Sequence, residues 1–241
     1  MSKVLERWDV MRHAPLEEID EGLLTVAGDL RMPLGNFPRR MTVVGLSGGR
    51  TAIFSAIALE EPAMARIEAL GAPSFLIVPG DHHRMDARVW KQRYPSIVVV
   101  APPGAREAVE EVVPVDATGD VLADPAVSFT VPPGLDGHEA ALLVRRPSGV
   151  TLIVNDLIGH VLHPHGLGAH VMARLFGFGV SGPAIPRPVK SKAIKDPAAL
   201  AAQFRAWAAE SELKRIIVSH GEPIETDPKA VLLSLAETLS D

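Results

Sequence analysis

The feature that most constrains this chain is a short apolar run that stops abruptly in charge. Phe75-Leu76-Ile77-Val78 has the length and composition of a buried strand, and it ends at Pro79-Gly80, followed at once by Asp81, His82, His83 and Asp86. Two carboxylates and two imidazoles are costly to bury without partners. A fold that accepts this segment has to bring it to the end of a strand, where such side chains can converge on one metal ion. Three single residues stand in the same relation to other runs. His138 follows a Pro-Pro-Gly turn, Asp156 follows the apolar run Val150–Val154, and His220 follows Arg215–Ser219.

Composition narrows the chemistry. Among 241 residues there is no cysteine, so there is no disulfide framework, and a metal site has to be built from nitrogen and oxygen. The formal net charge is −5, and no long basic run stands out, which argues against nucleic acid as the main partner. A local basic patch surrounds Arg187, Lys190, Lys192 and Lys195. The N-terminal residues lack the apolar core of a signal peptide, and no apolar segment is long enough to span a bilayer. The expectation is a cytoplasmic protein acting on a small molecule, with no membrane partner.

Strands are expected over Leu23–Val26, Met41–Leu46, Phe75–Val78, Ile97–Val100, Val127–Val131, Ala140–Val144, Val150–Val154 and Ile216–Val218. Thr51–Leu59 is ambiguous between strand and helix, because a short apolar run carries no clear period. Helices are expected over Pro62–Leu70, Arg84–Tyr94, Ala105–Glu111, Pro197–Leu213 and Pro228–Leu239, with Asp196 capping the fourth and Pro197 in its first turn. Leu157–Phe178 also carries a helical pattern, and Pro183–Pro188 reads as an extended connection. Strands come early in each half and helices late, which suggests two sheets in a sandwich with helices outside.

In order and spacing these pieces resemble the metallo-β-lactamase fold superfamily, and more closely its DUF4336-type branch, over roughly residues 22 to 235. The branch-level likeness rests on Arg40-Met41-Thr42-Val43-Val44, on Trp90-Lys91 and Tyr94-Pro95, on Ala101-Pro102-Pro103-Gly104, and on the His-Gly-x-Pro of His220–Pro223. The resemblance implies an α+β architecture, an αββα sandwich, as one domain over residues 1–241. It also implies a metal site at one edge of the sheets. Against the superfamily motif His-x-His-x-Asp-His, Asp81 and His83 take the two His positions, Met85 falls where Asp stands, and Asp86 falls on the final His. His138, Asp156 and His220 match the later ligands. The implied set is Asp81, His83 and His138 around one ion and Asp86 and His220 around a second, with Asp156 between them orienting the nucleophile. The implied cofactor is one or two divalent ions (Zn, Fe or Mn), the oxygen-rich set favouring Mn or Fe. The implied reaction is hydrolysis of a small ester, thioester, lactone or phosphoester. Met85 cannot replace a hard carboxylate well, which keeps a non-catalytic, degenerate binding protein as the alternative.

Plainer readings stand beside these. Asp81 suits a helix N-cap, and Asp86 suits a first-turn carboxylate. His82 alternates away from His83 in an extended segment. His160, His163, His165 and His170 read as surface or supporting residues. The apolar run Val171–Val180 suits a lid, a homodimer surface or plain core. A rival site is Gly45-Leu46-Ser47-Gly48-Gly49, which fits a nucleophile elbow, with Asp156 and His220 following in the α/β-hydrolase order. Paired glycines, however, favour a hairpin turn at that point.

Overall fold

The computed structural model describes residues 4–32, 35–164 and 167–239. Its strands are β1 (Glu17–Asp20), β2 (Leu23–Met32), β3 (Gly35–Leu46), β4 (Arg50–Phe54), β5 (Ala72–Ile77), β6 (Val98–Val100), β7 (Val127–Thr130), β8 (Ala141–Arg146), β9 (Gly149–His160) and β10 (Leu213–Gly221). Its helices are α1 (Glu61–Leu70), α2 (Ala87–Arg93), α3 (Arg106–Glu110), α4 (Leu167–Phe176), α5 (Pro197–Ala208) and α6 (Pro228–Glu237). One six-stranded sheet runs in the order β1-β2-β3-β4-β5-β6, and a four-stranded sheet in the order β10-β9-β8-β7. Antiparallel hairpins make up the start of the first sheet, with β4, β5 and β6 parallel to one another.

The continuous apolar runs are explained by three apolar layers. Val44, Phe54, Ile77, Leu142, Ile153 and Ile217 point between the two sheets. Their neighbours Val43, Ile53 and Leu76 point outward beneath α1, α2 and α3, while Leu143, Leu152 and Ile216 point outward beneath α5 and α6. Successive strand residues face opposite ways, so a strand buried on both faces must be apolar at every position. The helices seal the outer layers with Met64, Ile67 and Trp90 on one side and Phe204, Trp207 and Leu232 on the other. The molecule is thus an α+β sandwich of the αββα kind.

Asp196 caps α5 by accepting from the Ala199 amide at 2.9 Å, with Pro197 following. That helix ends at Ala208, because Leu213 already belongs to β10. The ambiguous Thr51–Leu59 divides: β4 ends at Phe54, and Ser55 takes a left-handed conformation (φ 57°). The helical expectation for Leu157–Phe178 is corrected. Its first part extends β9 to His160 against β10, and the helix begins only at Leu167. Leu157 and Ile158 carry no accessible surface, and a buried run of that kind fits a strand as well as a helix. His165 lies outside the described residues.

The pairing of β9 with β10 also changes where Asp156 sits. Val154 pairs with Val218 and Gly159 with His220. Asn155, Asp156, Leu157 and Ile158 therefore stand opposite Ser219 alone. A bulge of this kind bends a strand and re-aims its side chains, and here it turns Asp156 toward His220. Asp156 lies inside a strand, not in a loop beyond one.

The rival Ser47 site is excluded by the same topology. Ser47-Gly48-Gly49 is the β3–β4 hairpin turn, with Leu46 paired to Arg50 and both glycines at positive φ. His220 contacts the opposite end of β3, at Pro38. Ser47 lies nine residue steps along the chain from Pro38, roughly 30 Å, so Ser47, Asp156 and His220 cannot act as a triad.

Candidate metal centre

Three elements deliver three side chains that could hold a metal ion to one point. His83 comes from the loop after β5, Asp156 from the β9 bulge and His220 from the end of β10. His83 Nε2 lies 3.2 Å from Asp156 Oδ1, and His220 Nε2 lies 3.0 Å from the same oxygen. One ligand atom from each of the three residues falls within 4.8 Å of the others. The side chains are 7 %, 21 % and 12 % exposed for His83, Asp156 and His220.

The second nitrogen of each imidazole is held from behind. His220 Nδ1 donates to the Pro38 carbonyl at 2.7 Å, since a carbonyl can only accept. Arg40, two residues further along β3, donates through Nε and Nη2 to the Gly221 carbonyl at 3.2 and 2.9 Å. The end of β10 is therefore pinned to β3 on both sides of the His220 ring. His83 Nδ1 lies 2.8 Å from the Ser55 hydroxyl, at the end of β4. Such partners fix the ring orientation and tautomer of a metal-binding histidine.

The donor set fits a cation. With Nδ1–H committed to Pro38, a neutral His220 turns its Nε2 lone pair toward the Asp156 carboxylate. Two acceptors 3.0 Å apart repel each other, so a proton or a metal ion has to stand between them. The titration behaviour agrees. Burial by itself would lower the His220 pKa, but Asp156 outweighs it and the pKa is raised. Burial raises the Asp156 pKa in turn, and the two imidazoles outweigh that, holding it well below the usual carboxylate range. For His83 burial wins, and its pKa is lowered.

Asp81 and His138 form a separate, wetter pair. His138 Nδ1 lies 3.1 and 3.2 Å from the two Asp81 oxygens, and these side chains are 36 % and 45 % exposed. Asp81 caps no helix, because α2 begins only at Ala87. The pair shares a cleft of about 520 Å³ with Asp156 and Glu139.

Asp86, expected beside His220, has other partners. Asp86 is buried, one of its oxygens is taken by the Arg39 guanidinium and the other accepts the Ala58 amide at 2.9 Å. Asp86 is not part of the converging group of ligand atoms, and with both oxygens bonded it braces the loop that carries His83. Met85 lines a smaller pocket of about 270 Å³ together with His83, Asp156 and His220. His82 is exposed, though by a turn that joins the His83 amide to the Gly80 carbonyl at 3.4 Å rather than by strand alternation. His160 and His163 pair with Glu222 instead.

Sequence reasoning missed Ser55, the Pro38 carbonyl, Arg39 and Glu139. Glu139 accepts the Asp156 amide and the Asn155 side-chain amide, both at 3.3 Å. Burial raises its pKa well above normal, and the charges of Asp156 and Asp81 add to that. Gly80 allows this approach: a Cβ there would stand 2.9 Å from Asn155 Nδ2 and 3.3 Å from Glu139 Oε1. The one available signal was the position of Glu139 beside His138.

No family model and no curated protein matches the chain. Solved structures do. FIM-1, a metallo-β-lactamase from Pseudomonas aeruginosa in a mono-zinc form, superposes with a TM-score of 0.62 at 16 % identity, covering 97 % of this chain and 99 % of the other. The chain has the metallo-β-lactamase fold. VMB-1 gives a TM-score of 0.66 at 11 % identity over 94 % of this chain and 98 % of its own. A metallo-β-lactamase from Erythrobacter litoralis gives 0.62 at 18 % over 92 % and 96 %. At such identities the likeness speaks for the fold, and the chemistry has to be argued from the site. Among the described residues, no helix is long and apolar enough to cross a membrane.

Proposed function

We propose that this protein is a metal-dependent hydrolase of a small ester, thioester, lactone or phosphoester, within the DUF4336-type branch of the metallo-β-lactamase fold. The single observation that carries this reading is the convergence of His83, Asp156 and His220, with His220 Nδ1 already bound to a carbonyl. These three residues would hold a divalent ion. Two imidazoles and one carboxylate suit Zn²⁺ and Fe²⁺, and Mn²⁺ remains a third candidate. The ion, when bound, supplies Lewis acidity, polarising a carbonyl or phosphoryl oxygen and acidifying water.

The remaining work belongs to the chain. Asp156 stands between the imidazoles and is the group that would orient an attacking water, its amide and carboxylate fixed by Glu139 and the two histidines. Burial and the nearby charges of Asp156 and Asp81 raise the Glu139 pKa, which weakens it as a competing charge behind that carboxylate. Asp81 and His138 offer a looser second position for a cation at the mouth of the cleft. The cleft volume of about 520 Å³ falls in the range of small-molecule sites.

The test is metal content. Purified protein supplemented separately with Zn²⁺, Mn²⁺ and Fe²⁺ is expected to retain one of them near stoichiometrically by elemental analysis. His220→Ala should lose that metal while keeping its circular dichroism spectrum. Wild-type protein that emerges metal-free from every supplementation would overturn the hydrolase reading in favour of a degenerate binding protein.

A further inference from the structure

We propose that helix α4 and the connection that follows it dock on an anionic lipid bilayer, lying along its surface. Between Asp156 and Asp196 the chain contains no acidic residue, yet it holds Arg174, Arg187, Lys190, Lys192 and Lys195, in a protein whose formal net charge is −5. The same segment holds four of the six large apolar side chains exposed among the described residues: Leu162, Val171, Leu175 and Phe176. Apolar residues scattered singly over a surface need no explanation, whereas a cluster rimmed by charge marks a contact surface. The proposal goes beyond hydrolysis and does not depend on the metal centre.

The orientation of α4 is unlike that of a core helix. Its inner side is built from small residues: Ala169 and Ala173, one turn apart, are 4 % and 0 % exposed. Val171 and Leu175, also one turn apart, are 62 % and 55 % exposed, and Phe176 follows at 36 %. A helix that serves the core turns its large apolar side chains inward, so the outer stripe of α4 is apolar for another reason. His170 and Arg174 stand exposed on the same helix. Arg187 ties the following connection to the end of the helix, its Nη1 donating to the Leu175 carbonyl at 3.0 Å. Glu222, an acid bonded to the start of the segment, has its carboxylate taken by the Leu162 amide and by His163, at 3.0 Å each.

Charge complementarity selects the occupant. All five cations of the segment are exposed. Lys190 and Lys195 donate to the carbonyls of Thr238 and Lys192, bonds that leave the charge uncompensated, and none of the five has an ion pair among the described residues. A second copy of the chain fits poorly, because a two-fold contact sets a patch against itself and would oppose the two sets of cations. Nucleic acid would answer the cations and leave Val171, Leu175 and Phe176 without a partner. A bilayer with anionic headgroups answers both, the headgroups meeting the basic residues and the apolar stripe entering the boundary of the acyl chains. A helix used in this way lies on a membrane and has no need of the spanning length that every described helix lacks.

The experiment is flotation of the full chain with lipid vesicles, in chelator so that no metal ion bridges protein and lipid. Vesicles of phosphatidylcholine and phosphatidylserine in equal parts should carry wild type with them, vesicles of phosphatidylcholine alone should not, and added salt should release the protein. Arg174→Gln should weaken binding about fivefold, the equivalent of about 1 kcal/mol per basic residue at an anionic surface. Val171→Ser combined with Leu175→Ser, both at exposed positions, should weaken it roughly tenfold or more and leave the circular dichroism spectrum unchanged. Equal binding to both kinds of vesicle, binding to neither, or undiminished binding by the serine pair would each overturn the proposal. So would a dimer in vesicle-free buffer that the serine pair dissolves, which would assign α4 to a second copy, or a preference for duplex DNA over the mixed vesicles, which would assign the cations to nucleic acid.

Discussion

Two clusters that the sequence presents alike differ sharply in the fold. His83, Asp156 and His220 are mostly enclosed, and their outward nitrogens are held by Ser55 and Pro38. Asp81 and His138 stand at the cleft mouth, half in solvent, and the contacts found for their side chains are to each other. Both clusters contain good ligand atoms, yet only the trio is preorganised. A buried, braced set has met its ordering cost during folding, whereas a solvated pair must meet it on binding, and its mutual attraction is worth roughly 0–1 kcal/mol. Ligand identity is thus a poor guide to affinity unless it is read together with what holds each ligand.

The largest effect should come from the brace rather than from a ligand. Asp86→Ala removes one partner of a buried ion pair and strands the Arg39 guanidinium and the Ala58 amide. It should cost about 3–5 kcal/mol of stability, measured by urea unfolding. If Asp86 were instead a ligand of the trio, unfolding would be little affected in chelator and metal content would fall. Next in size, Ser55→Ala frees His83 Nδ1 and should weaken metal binding by about 10–100-fold, read with a chromophoric chelator as competitor. An unchanged affinity would mean that the Ser55 contact does not preorganise the ring, and the contrast between the clusters would lose one of its supports.

The third prediction concerns pH. In the metal-free protein the raised pKa of His220 stabilises the fold below the ordinary imidazole value of about 6.5, and that stabilisation is lost as pH rises through the folded value. The lowered pKa of His83 acts oppositely, removing stability as pH falls below about 6.5. The chelated protein should therefore show a broad stability maximum near that pH, and His220→Ala should erase the alkaline limb alone. Metal binding displaces a proton from His220, so affinity should rise with pH over the same range. The smallest effect belongs to the rim. Asp81→Ala should change stability by less than about 1 kcal/mol and leave the first equivalent of metal in place. Loss of that equivalent would put the wet pair on a par with the trio.

Much of the architecture was legible because strands buried on both faces must be apolar throughout. Val43 and Val44, Ile53 and Phe54, or Leu152 and Ile153 each send one side chain into each layer, so the runs themselves announce covered sheets. The extension of β9 was not legible, because Leu157 and Ile158 suit a buried helix equally well. The bulge that aims Asp156 depends on pairing with β10, more than 50 residues away, and leaves no local mark. The partners of Asp86 were hidden for a related reason. Motif spacing placed it correctly along the chain, but its fate was decided by Arg39, which arrives from β3. His83 and His220 were recoverable from position at strand ends, whereas Ser55 and the Pro38 carbonyl, which hold them, are ordinary groups that only tertiary packing makes special.

The division of the chain has one more consequence. Residues 17–100 carry every strand of the first sheet and His83, while residues 127–221 carry the second sheet with Asp156 and His220. Neither half owns a complete ligand set. A cation bridging them would act as a fastener across the sandwich, making the docking of one half on the other responsive to how much of that ion the surroundings provide.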